Sequence, residues 1–190
     1  SLFVGKFVGY YARIYKEILV EDGIIKFKGV GIWDIEGNII LEPIFNAVRL
    51  FKDSSYAEIV LDKKIGIAYL SNHKLIMLNE LNVKHIWEID RLGRCLFSDK
   101  SCKYDSDTKE WYDGNYGVLN TGGVIVKAGK YDYVELLDNG LMLVCQNIEG
   151  ANLYGILDID GKEIIPTKYT NISSFYGENA VICIGGERSY

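Results

Sequence analysis

Two prolines and two histidines are all that this chain of 190 residues contains. With so little proline, its turns must rest on Gly, Asn and Asp. The two histidines, His73 and His85, stand apart, and the four cysteines, Cys95, Cys102, Cys145 and Cys183, are scattered. A zinc site needs His and Cys ligands paired at short spacing, and a small disulfide scaffold needs a denser cysteine framework, so neither is expected. Cys95 and Cys102 read either as neighbours across a hairpin or as buried thiols of a reducing compartment. Long apolar runs are missing too. The longest, such as "GLMLVCQ", are strand-sized, which excludes a membrane-spanning helix. Positive charge is not in excess: the net charge is −5. Neutralising phosphates needs a basic surface, so a nucleic-acid partner is excluded. There is no nucleophile elbow, no Walker loop and no dinucleotide fingerprint, and "CIGGERSY" lacks the following helix that a phosphate loop requires. The chain opens at Ser1 without a Met or a signal peptide, which reads as a processed or excised segment of a longer protein, cytoplasmic or exported.

What is present is a repeat. Residues 116–145 lie on 154–183 without a gap when the chain is shifted by 38 positions: Tyr116 meets Tyr154, Gly117 meets Gly155, Gly123 meets Gly161, Lys130-Tyr131 meets Lys168-Tyr169, and Cys145 meets Cys183. An earlier copy, "VGIWDIEGNIILEPIFNAVRLF", places Gly31, Asp34 and Gly37 at the positions of Gly155, Asp158 and Gly161. A degraded copy, "KIGIAYLSNHKLIML", follows with Gly66, and Asn72 stands in for the turn glycine because Asn tolerates positive φ best among other residues. "YKEILVEDGIIKF" resembles the back half of a unit. The expected organisation is one repeat domain over 1–190: a partial unit 1–29, then units 30–64, 65–114 with an insertion at 98–115, 115–152 and 153–190.

Within a unit, Glu36-Gly37, Gly122-Gly123 and Asp160-Gly161 sit between alternating apolar runs, the pattern of two-residue hairpin turns. No segment keeps helical periodicity over three turns, and β-branched and aromatic residues dominate. The expected fold is all-β: tandem antiparallel hairpin repeats, either closing radially like a propeller or stacking as an open curved array, since no unit of this length buries its apolar face alone.

These residues resemble a family. An aromatic before Gly, an Asp, a turn Gly, an "I-I-P" corner, a Tyr or Phe and a later Phe form the pattern of the bacterial WG repeat, here "YGILDIDGKEIIPTKY…F" and "VGIWDIEGNIILEPIF…F". The resemblance covers most of residues 30–185. Tyr and apolar residues replace the family's Trp, and Asn120 and Tyr69 replace its Asp. It implies a tandem β-repeat module of a multi-domain bacterial protein, and it transfers no catalytic residues.

The acidic turns invite a calcium reading, but the equivalents of Asp158-x-Asp160-Gly161 vary in their acids and keep the glycine, which is the behaviour of a turn. Gly37, Asn72, Gly123 and Gly161 are therefore read as structural turns, and no metal and no cofactor are expected. Tyrosine is abundant, with 14 copies. Those at repeat positions read as packing between units. Trp87, with Trp111 and Tyr112 in the insertion, are the candidate binding residues, because Trp and Tyr anchor recognition surfaces. The expected function is a non-enzymatic interaction module for a protein partner, or less favourably a glycan. Two alternatives stand beside it: a structural spacer, or a carbohydrate or cell-wall hydrolase using Glu110 and Asp113 with Asp105 or Asp107.

Overall fold

The computed structural model describes residues 2–21, 24–51, 55–100, 103–105, 110–112, 115–173 and 180–183, with the backbone alone at 17–19, 21, 25–26, 103–105 and 110–112. The chain is all-β: among the described residues it is built as antiparallel four-stranded sheets in tandem, with two-stranded ones beside them and no closed barrel. It divides into two compact units, residues 1–93 and 94–190.

In the first unit, Leu2–Val8 (β1), Tyr11–Glu21 (β2), Ile24–Asp34 (β3) and Ile39–Phe45 (β4) form one sheet in chain order. Ala47–Leu50 (β5), Tyr56–Leu61 (β6), Lys64–Tyr69 (β7) and Lys74–Met77 (β8) form the next. A 3-10 turn, Asn79–Leu81, leads to His85–Ile89 (β9). Both sheets are rich in Ile and Val, whose branched side chains suit a pleated, half-buried surface. They pack their inner faces on each other through Val30, Ile32, Leu41 and Phe45 from the first sheet and Val48, Ala57, Ile59 and Ala68 from the second.

In the second unit, Cys95–Ser98 (β10), Tyr116–Asn120 (β13) and Gly123–Tyr131 (β14) pair in series. Between β10 and β13 the insertion makes a small hairpin of its own, Lys103–Asp105 (β11) with Glu110–Tyr112 (β12). Tyr133–Leu136 (β15), Met142–Ile148 (β16), Ala151–Leu157 (β17) and Glu163–Tyr169 (β18) make a complete sheet. Asn171–Ile172 (β19) and Ile182–Cys183 (β20) make a short two-stranded one.

The repeat of the sequence is offset from the sheets. Whereas residues 78–84 lie between β8 and β9, at three junctions a single residue separates one sheet from the next: Asn46, Asp132 or Thr170. Its backbone N–H donates to the carbonyl of Val60, Cys145 or Cys183 at 2.8, 2.9 and 3.0 Å. Each repeat therefore contributes the last two strands of one sheet and the first two of the next.

The motif letters acquire physical reasons in this frame. The aromatic-Gly position lies at a bulge: Tyr154 pairs with Tyr169 and Ile156 with Ile165, so Gly155 alone faces three residues of β18. A side chain on Gly155 would meet Thr167 Oγ1 at 2.6 Å and the Ile165 carbonyl oxygen at 2.8 Å. Tyr116 and Tyr131 make the same cross-strand pair, and Val30 with Phe45 takes their place in the first repeat. Pro43 and Pro166 fall on β4 and β18, the outer strands of their sheets, where a missing N–H breaks no ladder.

The turns differ from the two-residue hairpins expected. In "DIEGN" and "DIDGK" the loop is three residues long, closed by Asp34 N–H to the Asn38 carbonyl at 3.1 Å and by Asp158 N–H to the Lys162 carbonyl at 2.8 Å. Gly37 and Gly161 take the left-handed position, with φ of +88° and +81°, which makes each a turn with a glycine bulge. The aspartate is the cap: Asp158 Oδ1 accepts from the N–H groups of Asp160 and Lys162 at 3.0 and 2.8 Å, and Asp34 does the same for Glu36 and Asn38. In the third repeat the loop is Thr121-Gly122, and Gly123 pairs with Asn120 at its base with φ of +128°. In the degraded copy the positive φ falls on His73, at +56°, and not on Asn72. The Asn72 side chain instead accepts from the Lys74 N–H at 3.0 Å, so it serves as the cap and not as the glycine substitute.

Candidate functional site

In the first unit, the short strand β5 carries Ala47 and Arg49 on one face, paired across the ladder with Val60 and Glu58 of β6. With His85 at the start of β9, these side chains and Val48 line a groove of about 300 Å³. Arg49 is held from three sides. Its Nε donates to Glu58 Oε2 at 2.7 Å, its Nη2 reaches the same oxygen at 2.5 Å, and Nη2 also donates to the Ile86 carbonyl. The guanidinium lies 4.7 Å over the Phe51 ring. The Arg49 side chain is 43% exposed and that of Glu58 14%. The acid is thus sunk beneath a guanidinium that still faces water. An ion pair at this depth contributes only about 0–1 kcal/mol to stability, so its stronger effect is to fix the guanidinium in place.

Burial, then repulsion from Arg49, pushes the His85 imidazole below its ordinary range, partly offset by Glu58. The ring is therefore uncharged at neutral pH, with one nitrogen a donor and the other an acceptor. Trp87, two residues along β9, packs edge-on against His85 with ring centroids 4.4 Å apart. The site is an immobilised cation beside a neutral imidazole and an indole, over an apolar floor. Its strands fix the geometry, so a ligand would meet it pre-formed.

Of the residues singled out in the sequence, Trp87 is half-buried and meets the groove residue His85 through their edge-on ring contact. Trp111 and Tyr112 lie on β12, and their side chains are outside the described residues. The carboxylates of the hydrolase alternative divide similarly. Asp105 and Glu110 are register partners across the β11–β12 hairpin, and Asp107 and Asp113 are outside the described residues. Among the described residues no His, Cys, Asp and Glu cluster has the makings of a metal site. Cys95 and Cys145 are buried and Cys183 is exposed, none of the three in a disulfide, and Cys102 is outside the described residues. Burial pushes the Cys145 thiol up, against a lowering hydrogen bond with Tyr154, away from thiolate reactivity.

Sequence reasoning passed over Arg49, Glu58 and His85. The legible signal was an opposite-charge pair nine residues apart on two short apolar strands, but it becomes a contact only once the register of β5 and β6 is known.

The model of the WG containing repeat matches residues 31–64, 116–147 and 154–187, together just over half of the chain. The chain belongs to the WG-repeat family. No curated protein matches the sequence. Among solved structures, the chain is similar to one from a nidogen/laminin complex, with 12% identity and a TM-score of 0.31 over 95% of this chain and 60% of that one. It is also similar to the tricorn protease, with 13% identity and a TM-score of 0.28 over 83% of this chain and 22% of that one. The WG repeats thus begin inside β3 and β17 and at the first residue of β13, on the bulge glycine or one residue before it. No helix among the described residues is long and apolar enough to cross a membrane.

Proposed function

We propose that this WG-repeat chain is a non-enzymatic interaction module that recognises a protein partner through side chains held on its sheets. The observation that carries the reading is the groove of the first unit. There Arg49 is immobilised by Glu58, the Ile86 carbonyl and Phe51 beside His85 and Trp87. Arg and Trp are the residues that anchor interfaces, and an anchor loses least entropy on binding when its own rotamer is already fixed. The insertion hairpin β11–β12, with Trp111 and Tyr112, supplies a second, variable contact, because surface loops on a rigid repeat carry recognition.

The test pairs a peptide array and a glycan array with the wild-type chain, a Trp87→Ala variant and a chain lacking 100–113. Peptide binding weakened by either change, with no turnover of polysaccharide or peptidoglycan, is the expected result. Hydrolysis that disappears in Asp105→Asn or Glu110→Gln would replace this reading with the hydrolase. Unchanged silence on both arrays would leave a spacer.

A further inference from the structure

Resting on the reading of the module as a protein binder, we infer that the groove of the first unit receives a carboxylate of the partner chain. Arg49 and His85 donate to its oxygens, and the neighbouring apolar side chain of the partner lies on Ala47 and Val60. Three features select this ligand.

The first is donor count. A guanidinium presents five N–H donors in a fixed plane. Nε and Nη2 of Arg49 are engaged by Glu58 and Ile86, and Nη1 has no partner among the described residues. The ring nitrogens of His85 likewise make no hydrogen bond there. Two open donors beside each other match the two oxygens of a carboxylate.

The second is charge. The groups facing His85 are Arg49 from β5 and Glu58 from β6, and with a neutral imidazole they sum to zero. A second cation would meet an exposed guanidinium, with Glu58, the acid of the groove among the described residues, sunk and already engaged. A dianion such as phosphate would meet Glu58 with only one fixed positive charge to balance it, on a chain of net charge −5. A singly charged carboxylate fits best. The third is size: about 300 Å³ is at the lower end for ligand sites and suits one residue, not a sugar chain.

The test uses three hexapeptides: one ending in a free Val carboxylate with an acetylated N-terminus, its amidated counterpart, and a doubly blocked peptide with one internal Glu. NMR titrations follow the imidazole signals of His85, with His73 as internal reference, in wild type, Arg49→Gln and Glu58→Gln. Peptides bearing a carboxylate should move the His85 signals saturably and the neutral peptide should not. The effect should vanish in Arg49→Gln. Glu58→Gln keeps an amide oxygen to hold the guanidinium but removes the charge that competes for it, so it should tighten binding several-fold. Preference for the first peptide assigns a chain end, and for the third an acidic side chain. Equal response to the neutral peptide, no response to any, or weaker binding in Glu58→Gln would overturn the inference. Array binding that survives Arg49→Gln would do so while leaving the interaction module standing.

Discussion

A single aspartate, a single glycine and the carbonyls they organise account for the turn chemistry at the residue scale. Gly161 has positive φ, and a side chain there would meet the Ile125 carbonyl oxygen at 2.7 Å. Gly37 has the same φ with open space around it. Gly37→Val should cost about 1–2 kcal/mol, from backbone strain alone. Gly161→Val should cost more, about 2–4 kcal/mol, because an overpacked contact is added. Thermal melts should rank them in that order, at roughly 2–4 °C per kcal/mol for a chain of this size. Asp160→Asn should be near neutral, since residue 160 contributes its N–H to the Asp158 cap and its carboxylate makes no hydrogen bond among the described residues. A calcium-dependent Tm lost in that variant would restore the metal reading. His85 gives the pH dependence. Its folded pKa lies below the unfolded value, so the unfolded chain binds the extra proton in between. Its contribution to stability is therefore intact above the unfolded pKa near 6.5 and is lost as pH falls through 6.5 towards the folded value. His85→Gln should flatten the fall in Tm between pH 7 and pH 5.5, and an unchanged slope would count against it.

The strand pair is the next scale, and here the bulge decides what the repeat can tolerate. Gly155 sits where β18 swells towards β17, so Gly155→Ala should cost about 1–3 kcal/mol although its φ is unexceptional. Pro166 on β18 and Pro43 on β4 blunt edges that would otherwise template foreign strands. The hairpin between β6 and β7 offers the opposite prediction. Its two-residue turn, Asp62-Lys63, holds both residues at positive φ, 50° and 66°. Replacing the pair with Asn-Gly should stabilise by about 1 kcal/mol, because that dipeptide suits a primed turn. The Asp62 N–H bond to Asn46 Oδ1, at 2.7 Å, survives the change. A lower denaturant midpoint would mean that the side chain of Asp62 or Lys63 matters more than its backbone.

On the scale of the whole molecule, the insertion and a buried arginine mark what is optional and what is not. β10 and β13 pair directly, Ser98 opposite Tyr116, so the hairpin between them is an appendage on a continuous ladder. Replacing 100–113 with a short Gly-Ser turn should change stability by less than about 1 kcal/mol, and a drop of several would show that the hairpin supports the sheet. Arg94 is different. It is 1% exposed and donates to the carbonyls of Leu137, Gly140 and Leu141 at 2.8, 2.5 and 3.0 Å, tying the start of β10 to the loop between β15 and β16. Arg94→Met should cost about 3–5 kcal/mol, as removal of a buried charged donor strands its acceptors.

The all-β class, the repeat and its family, and the positions of the turns were legible because they rest on local rules: period-two alternation, a glycine where φ is positive, self-similarity along the chain. Tyr154 and Tyr169 could be matched to Tyr116 and Tyr131 by eye. That they pair across a strand could not. Loop length was misjudged by one residue because Asp34 and Asp158 cap through their side chains, a contact that the Asp-Gly pattern does not encode. The half-sheet offset was hidden for a similar reason, since one residue such as Asn46 both ends a sheet and begins the next. The groove belonged to tertiary structure entirely. Arg49, Glu58 and His85 come from three strands, and it is the register of β5 on β6 and the approach of β9 that turn three scattered polar residues into one fixed set of donors.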